Sequence, residues 1–439
     1  MGYFDLEDDT AIFSDEDWND LEELYFLLTC DEGEKRKPKW TYRRIDWEHH
    51  IEEKLATGTF QATYHMTLQQ FNTLVGILRE QVEMNEMQSL RSTGGNEPIS
   101  PEVCEGTVLR FLYGSRVVDL VDIYGISPGS VNRIINKCLC AVVDSDHELL
   151  AIRLPDPTNY EELYNLSRRW EALSTSCGLL NGHLAAKDGW LAETEMPVDV
   201  LNRREYYSGH YKCYGLNVQA MVGPDLEFFY VCIAAPGKTN DVRAIKRCKG
   251  LIEWLQALPN GYFISGDNAY IISRKVLVPH DKPQCDHESK RVFNYYLSQL
   301  RIRVEMAFGL LTTKFRLLRK GLNFYNEKNS LVIRACAKLH NFCIRTKEGE
   351  GDGFGVLDRD AVRNDPKACG ILPLPHKHSG QTYDMGYLET VIDEEMAEID
   401  NSMPVVDIFV SDPSLRNELV ADIRARGLRR PQENISRNS

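Results

Sequence analysis

Three observations predict a mixed α/β core preceded by an all-α unit. Between Met66 and Val142 apolar residues recur at helical spacing, and after Pro155-Asp156-Pro157 the pattern changes to short strand-like runs. Those runs follow the order strand, two hairpin strands, helix, strand, loop, long helix, which describes a mixed sheet rather than a purely parallel one. The expected division is an acidic then basic tail over 1–45, a helical, helix-turn-helix-like domain over 60–150, a sheet domain over 160–346, and a C-terminal tail over 347–439 carrying two helices.

The first helix is justified by Phe71, Leu74, Val75 and Leu78 at i, i+3, i+4, i+7, with Thr67 placed to cap it. Ser100-Pro101-Glu102 opens a second helix through Leu112, and Val117 to Tyr124 reads as a third. Gly125-Ile126-Ser127 is a turn ending in a capping serine, and Ser130 to Val142 carries Val131, Ile134, Ile135 and Leu139 on one face. Helix, glycine turn, helix is a layout whose second member can enter a DNA major groove, here offering Ser130, Asn132, Arg133, Asn136 and Lys137.

Tyr160 to Leu173 is a further helix. The strand-like runs are Leu184–Asp188, Cys213–Val222 and Glu227–Ala234, the last two joined by Gly223-Pro224-Asp225 as a hairpin. Asp241 begins a helix through Leu255, placed so that its charge caps or favours the helix start. Tyr262 to Asp267 is a buried strand ending on an acid, and Phe293 to Leu318 is a long helix. In the tail, Tyr387 to Ile399 and Ser414 to Arg426 read as helices, suited to docking on the core or on another subunit.

Composition narrows the partners. The chain has 439 residues, 43% of them apolar, without a run long enough to span a bilayer and without a signal-peptide pattern at Met1-Gly2-Tyr3-Phe4-Asp5. It is expected to be soluble and intracellular. The net charge of −14 argues against a nucleic-acid partner until its distribution is read: residues 1–34 hold thirteen acids and no Lys or Arg, which leaves the rest near −1. Lys35-Arg36-Lys37-Pro38-Lys39 with Arg43-Arg44 is a basic run of the kind used for nuclear localisation or phosphate contact. Twelve scattered cysteines without a CxxC pair read as reduced, and Cys285-Asp286-His287 lacks the second cluster a structural zinc needs.

The order of elements matches the RNase H-like topology, in which the first and fourth strands lie together at the centre. Asp188 on the first and Asp267 on the fourth then meet at one sheet edge. Glu305 lies on the long helix, on the face of Arg301 and Phe308, and Asp241 starts the intervening helix. Four converging carboxylates repel one another unless cations sit among them, and hard oxygen donors suit Mg²⁺ or Mn²⁺. Two such ions activate a water or 3′-hydroxyl and stabilise the departing oxygen of an in-line displacement at phosphorus. The bland alternative is that each acid caps a helix or turn.

Ala186-Lys187-Asp188-Gly189-Trp190, Tyr206-Tyr207 to Asn217-Val218-Gln219-Ala220, Pro236-Gly237-Lys238-Thr239-Asn240-Asp241, Gly266-Asp267-Asn268-Ala269-Tyr270 and Ser298 to Gly309 resemble, in order, the blocks of the Harbinger transposase-derived nucleases. Leu339-His340-Asn341 resembles their closing block, and the likeness spans about residues 60 to 345. The resemblance implies a DDE nuclease with Asp188, Asp267 and Glu305 as catalytic acids. It also implies divalent metal held by Asp188, Asp241, Asp267 and Glu305, a nuclear DNA-cutting and strand-joining role, and a Myb-like partner protein. Lys187 departs from the apolar residue usual beside the first acid and is expected to snorkel outward, away from a cation.

Arg301 and Arg303, with Lys314, Arg316, Arg319 and Lys320, give the long helix and its exit a basic character suited to phosphate contact. Arg133 and Lys137 are the corresponding DNA-binding candidates of the helical unit. His210 and Lys212 are expected at the rim, and His340 is expected to be packed or capping. A homo-oligomer is compatible with the tail helices. The rivals to an enzyme are a domesticated, non-catalytic DNA-binding or regulatory protein and an adaptor acting through the acidic tail.

Overall fold

The computed structural model describes residues 43–84, 97–347 and 410–430. The acidic segment 1–34, the run Lys35–Lys39 and the expected helix Tyr387–Ile399 lie outside the described residues.

Among the described residues seven helices precede the sheet. Helices α1 (Trp47–Ala56) and α2 (Phe60–Tyr64), which periodicity did not single out, lead into α3 (Leu68–Val82). Thr67 caps α3 by accepting from the Gln70 amide while the Gln70 side chain accepts from Thr67, a reciprocal box that fixes the expected start. Helix α4 (Pro101–Leu112) is capped by Ser100, α5 (Val117–Tyr124) ends at Gly125, and Ser127 caps α6 (Pro128–Asp144). Helix α7 (Tyr160–Glu171) follows, capped by Asn159.

Gly125 is required twice over. Its φ of +61° is left-handed, and a Cβ there would lie 1.8 Å from the Arg43 carbonyl oxygen. The Arg43–Arg44 backbone therefore packs against the α5–α6 turn, with the Ile45 amide donating to Tyr124 O at 3.1 Å and the Arg44 guanidinium to Glu97 O. This end of the basic run belongs to the helical packing and is not a free arm.

The sheet is mixed. Strands β1 (His183–Thr194), β2 (Tyr207–Ser208), β3 (Cys213–Val222) and β4 (Phe228–Pro236) are antiparallel neighbours, and β5 (Phe263–Ser265) and β6 (Val276–Leu277) extend it in parallel from β1. The order β3-β1-β5-β6, with β4 and β2 on the far side of β3, puts the first and fourth long-recognised strands side by side as expected. Strand β1 runs six residues beyond Asp188, so that acid sits mid-strand and not at a strand end.

The helix expected over Asp241–Leu255 is broken into α8 (Asp241–Lys246) and α9 (Lys249–Ala257), and its cap is Asn240, which accepts from the Arg243 amide. The long helix α10 (Glu288–Lys314) starts five residues earlier than expected because His287 caps it through Nδ1, which also settles the Cys285-Asp286-His287 triple as a helix start. Helix α11 (Asn326–Arg345) returns to the first helices, and α12 (Ser414–Arg426) lies against α10 with the expected bounds.

The buried apolar residues form one cluster from Phe60 to Ile423. Trp190 of β1 meets Phe308 of α10 at 5.6 Å, and Phe308 meets Phe228 of β4 at 5.8 Å, so α10 covers one sheet face. On the same side, Asn341 of α11 joins both backbone groups of Phe228 at 2.8 Å, and His340 donates to Leu226 O at 2.9 Å. The Leu-His-Asn block is thus a staple between α11 and the start of β4. Helix α6 is packed by α3, α4, α5 and α11, and among its five expected groove-facing residues Arg133 alone is fully exposed. The Lys137 ammonium donates to Glu83 O at 2.7 Å, finishing α3. No disulfide joins the described cysteines, and among the described residues no helix is long and apolar enough to cross a membrane.

Candidate functional site

Strand register builds the site. Ala186 pairs with Ser265 in the parallel β1–β5 ladder, and two residues further along the chain stand Asp188, within β1, and Asp267, just past the end of β5. Side chains alternate across a sheet, so both acids leave on the face of Ala186, Trp190 and Ser265, the face covered by α10. Glu305 reaches that face from α10 one turn beyond Arg301. Arg301 ties them together: Nη1 donates to Asp267 Oδ1 and Nη2 to Glu305 Oε1, each at 3.2 Å.

The electrostatics report the same neighbourhood. Burial pushes the Asp188 carboxyl up to about 6, Asp267 and Glu305 push it the same way, and Arg301 and the Gly189 amide, 2.9 Å from Oδ1, oppose them. Asp188 is thus an acid whose ionised form is held in a partly desolvated place beside two other acids, and a nearby cation relieves it. Among the described residues no group of three or more His, Cys, Asp or Glu side chains is arranged closely enough to hold a metal ion as it stands. The Arg301 guanidinium stands where the carboxylates would otherwise approach one another.

Asp241 is on the other face. A Cβ on Gly189 would lie 2.3 Å from Asp241 Oδ1, and Gly189 points opposite to Asp188. The same Oδ1 accepts from Gln219 Nε2 at 2.9 Å and from Asn217 Nδ2 at 3.3 Å. Gln219 Oε1 in turn accepts from Tyr270 Oη at 2.9 Å and from Lys187 Nζ, whose ammonium also lies 3.6 Å from the Tyr270 ring centroid. Lys187 does not snorkel. It is fully buried, held by a hydrogen bond and a ring face, and burial draws its ammonium down to about 8. It faces away from Asp188 and does not contest that acid's side of the sheet.

Gln219, Asn217 and Tyr270 received no role from the sequence. Their signal was polar alternation inside an apolar strand, Asn217 and Gln219 between Leu216, Val218 and Ala220, which on a strand buried on both faces marks a hydrogen-bonded network. Tyr211, exposed on the β2–β3 turn, has its hydroxyl pushed up by burial of its ring and then by Asp241, Asp188 and Asp267, which puts it by the site beside His210 and Lys212. The basic exit of α10 is mixed: Lys314 is buried against Cys343 Sγ at 2.8 Å and Arg319 donates to Thr312 O, whereas Lys320 is exposed. Arg303 is half-buried on α10, and Arg133 and Lys137 stand on a helix well separated in sequence from the acids.

Comparison with known proteins covers the same elements. Residues 187–341 match the family described as DDE superfamily endonuclease. The chain is 21% identical to "Protein ALP1-like" of Arabidopsis thaliana over 74% of its length and 82% of that protein, and 22% identical to "Putative nuclease HARBI1" of Rattus norvegicus over 64% and 83%. No solved structure matches the chain significantly. The matched segment begins at the residue before Asp188 and closes on Asn341 of the α11 staple, so it spans Asp188, Asp267 and Glu305, which share one face, and Asp241, which lies on the other. Over residues 187–341 the chain is thus similar to the DDE superfamily endonucleases, and over most of its length it is similar to these two Harbinger-related relatives.

Proposed function

We propose that this protein cleaves DNA phosphodiesters with divalent metal, and that Asp188, Asp267 and Glu305 are the acids that hold it. The observation that carries the reading is the gathering of these three carboxylates under α10, on a family match that spans them. The donor set fits: it is all oxygen and anionic, as Mg²⁺ or Mn²⁺ requires, with Asp188 raised by burial and by its acidic neighbours. When bound, two such ions supply an activated water or 3′-hydroxyl and charge stabilisation at the leaving oxygen.

The chain's own residues do the positioning. Asp188 and Asp267 come from neighbouring strands of a rigid sheet, Glu305 from the helix packed across it by Phe308. Asp241, expected as a fourth ligand, is engaged from the far face by Gln219 and Asn217, and its proposed part is to fix the β1–β3 backbone behind Asp188. Strand joining, a nuclear site of action and a Myb-like partner follow only if the transposase activity is kept. The second reading, a non-catalytic DNA-binding protein of the same fold, is favoured by the Arg301 pairing, which neutralises two of the three acids.

Cleavage of duplex DNA in Mg²⁺ or Mn²⁺ separates the two. Asp188→Asn, Asp267→Asn and Glu305→Gln each remove charge at nearly constant volume. Each is expected to lower cleavage by about a hundredfold or more while the fold and DNA binding persist. Cutting that resists EDTA, or that survives all three changes, would overturn the metal reading; DNA binding without cutting by the native chain would establish the second.

A further inference from the structure

The contact that favours the non-catalytic reading has another use. Arg301 is buried to 17% side-chain exposure on α10, and Asp267, its partner, to 20%. In such a place a guanidinium that served structure would be expected to grip one carboxylate with two parallel hydrogen bonds. Arg301 instead gives one N–H to Asp267 and one to Glu305, both at 3.2 Å, and its Nε is buried with no hydrogen-bond partner. Every contact is single and long for a charge-assisted bond, and one donor is left over. The group is placed between acids but is not locked there.

We infer that Arg301 is an internal cation that competes with divalent metal for Asp267 and Glu305, and that a phosphodiester of the DNA substrate draws it off, so that DNA and metal bind cooperatively through this one side chain. The inference rests on the metal reading above. Oxygens that accept from Arg301 cannot at the same time bind a hard cation through the same lone pairs, and two cations at one carboxylate repel each other. Metal entry therefore requires the guanidinium to turn away. Its flexible stem begins on the same helix as Glu305, so a displaced guanidinium remains at the edge of the acidic cluster, where a phosphate oxygen matches its planar donor fork. Because linkage is reciprocal, an anion that occupies Arg301 raises metal affinity by the factor by which metal raises anion affinity.

The test is Mn²⁺ titration of the full chain, followed by the electron paramagnetic resonance signal of free Mn²⁺, with and without a short DNA duplex. Arg301→Gln removes the charge and keeps two donors and much of the stem. Without DNA it is expected to bind Mn²⁺ at least about fivefold more tightly than the native chain, within the usual range of coupling between sites. Duplex DNA is expected to tighten Mn²⁺ binding to the native chain by a similar factor and to leave the Arg301→Gln affinity almost unchanged. Arg301→Lys, which keeps the charge but has no fork, should stay close to the native chain in both measurements. Circular dichroism melts of each variant establish that the fold is present; if Arg301→Gln does not fold, Arg301→Met, which also removes the charge, is read in its place, with tighter Mn²⁺ binding expected and an affinity equal to the native chain's overturning the inference. Equal Mn²⁺ affinity of native chain and folded Arg301→Gln, with loss of binding in Asp267→Asn, would overturn the inference and leave the metal site standing. Failure of both native chain and Arg301→Gln to bind Mn²⁺ would overturn the metal site itself and the inference with it.

Discussion

Gly189 shows how tightly single residues are constrained around the acids. It follows Asp188 directly, and its missing side chain is the space into which Asp241 Oδ1 and Gln219 Nε2 project, at 2.3 and 2.8 Å from where a Cβ would stand. Gly189→Ala must push Asp241 off its bonds from Asn217 and Gln219, an overpacking change of about 1–3 kcal/mol in urea unfolding. Cleavage is expected to fall less than in Asp188→Asn, since the displaced acid lies on the far face; an equal loss would make Asp241 a working ligand. At this scale the sequence was legible where residue type dictates chemistry. The capping Thr67 and Ser127 and the packed His340 could each be read from their own neighbours. Lys187 could not. A lysine beside an acid reads as solvent-seeking, and only the strand register shows that its neighbour is on the other face and that Gln219 and Tyr270 wait for it.

Elements were legible where periodicity was long and capped. Helices α3, α4 and α5 and strand β3 appear where apolar spacing and caps put them, because local chemistry and tertiary packing agree there. The break between α8 and α9 was hidden because Val242, Ile245, Leu251 and Leu255 continue one apolar face across Arg247-Cys248. Helix α6 is the instructive case: its glycine turn and polar residues suggested a groove-reading helix, and while α3, α4, α5 and α11 pack against its apolar side, Arg133 stays exposed and Ser130, Asn132, Asn136 and Lys137 stay half-buried. Arg133→Ala and Lys137→Ala separate the roles. Lys137→Ala should lower the melting temperature by releasing the α3 carboxyl end at Glu83 while leaving DNA affinity unchanged, and Arg133→Ala should leave stability unchanged. A drop in DNA affinity and its salt dependence in both variants, measured by fluorescence anisotropy, would restore α6 as a DNA-reading helix.

Two fully buried histidines and one fully buried carboxyl pull the pH dependence of the molecule in opposite directions: burial pushes Glu105 up to about 8, so its contribution is lost as pH rises, and the histidines act in the reverse sense. Burial draws His183 down to about 3 and His340 down to about 4, each fully enclosed and hydrogen-bonded, to Ser265 and to Leu226 O. Both lie below the unfolded value near 6.5, so the unfolded chain takes up protons first as pH falls, and their contribution to stability is full above about pH 6.5 and lost progressively below it. Between pH 7 and pH 5 each imidazole should withdraw roughly 2 kcal/mol. Set against the native chain by urea midpoints across that range, His340→Gln should lose less stability on acidification and Glu105→Gln should lose more; an unchanged slope in either variant would place its share of the effect elsewhere.

One contact made at the end of the described chain bears on when the site exists at all. Helix α12 and the residues after it clasp the amino-terminal half of α10: Arg424 donates to Ser289 Oγ, Tyr296 Oη donates to Arg429 O, and Ile423 is buried, while Glu418 pairs with Arg274 in the segment between β5 and β6. The helix that carries Arg301 and Glu305 is therefore finished by residues synthesised more than a hundred positions later. A growing chain on the ribosome holds its acids for many seconds before that clasp can be delivered, at about 5–20 residues per second. The sheet and the helix that carries Arg301 and Glu305 are thus made well before the residues that complete their packing, so the seating of α10 is a late event in the synthesis of the chain.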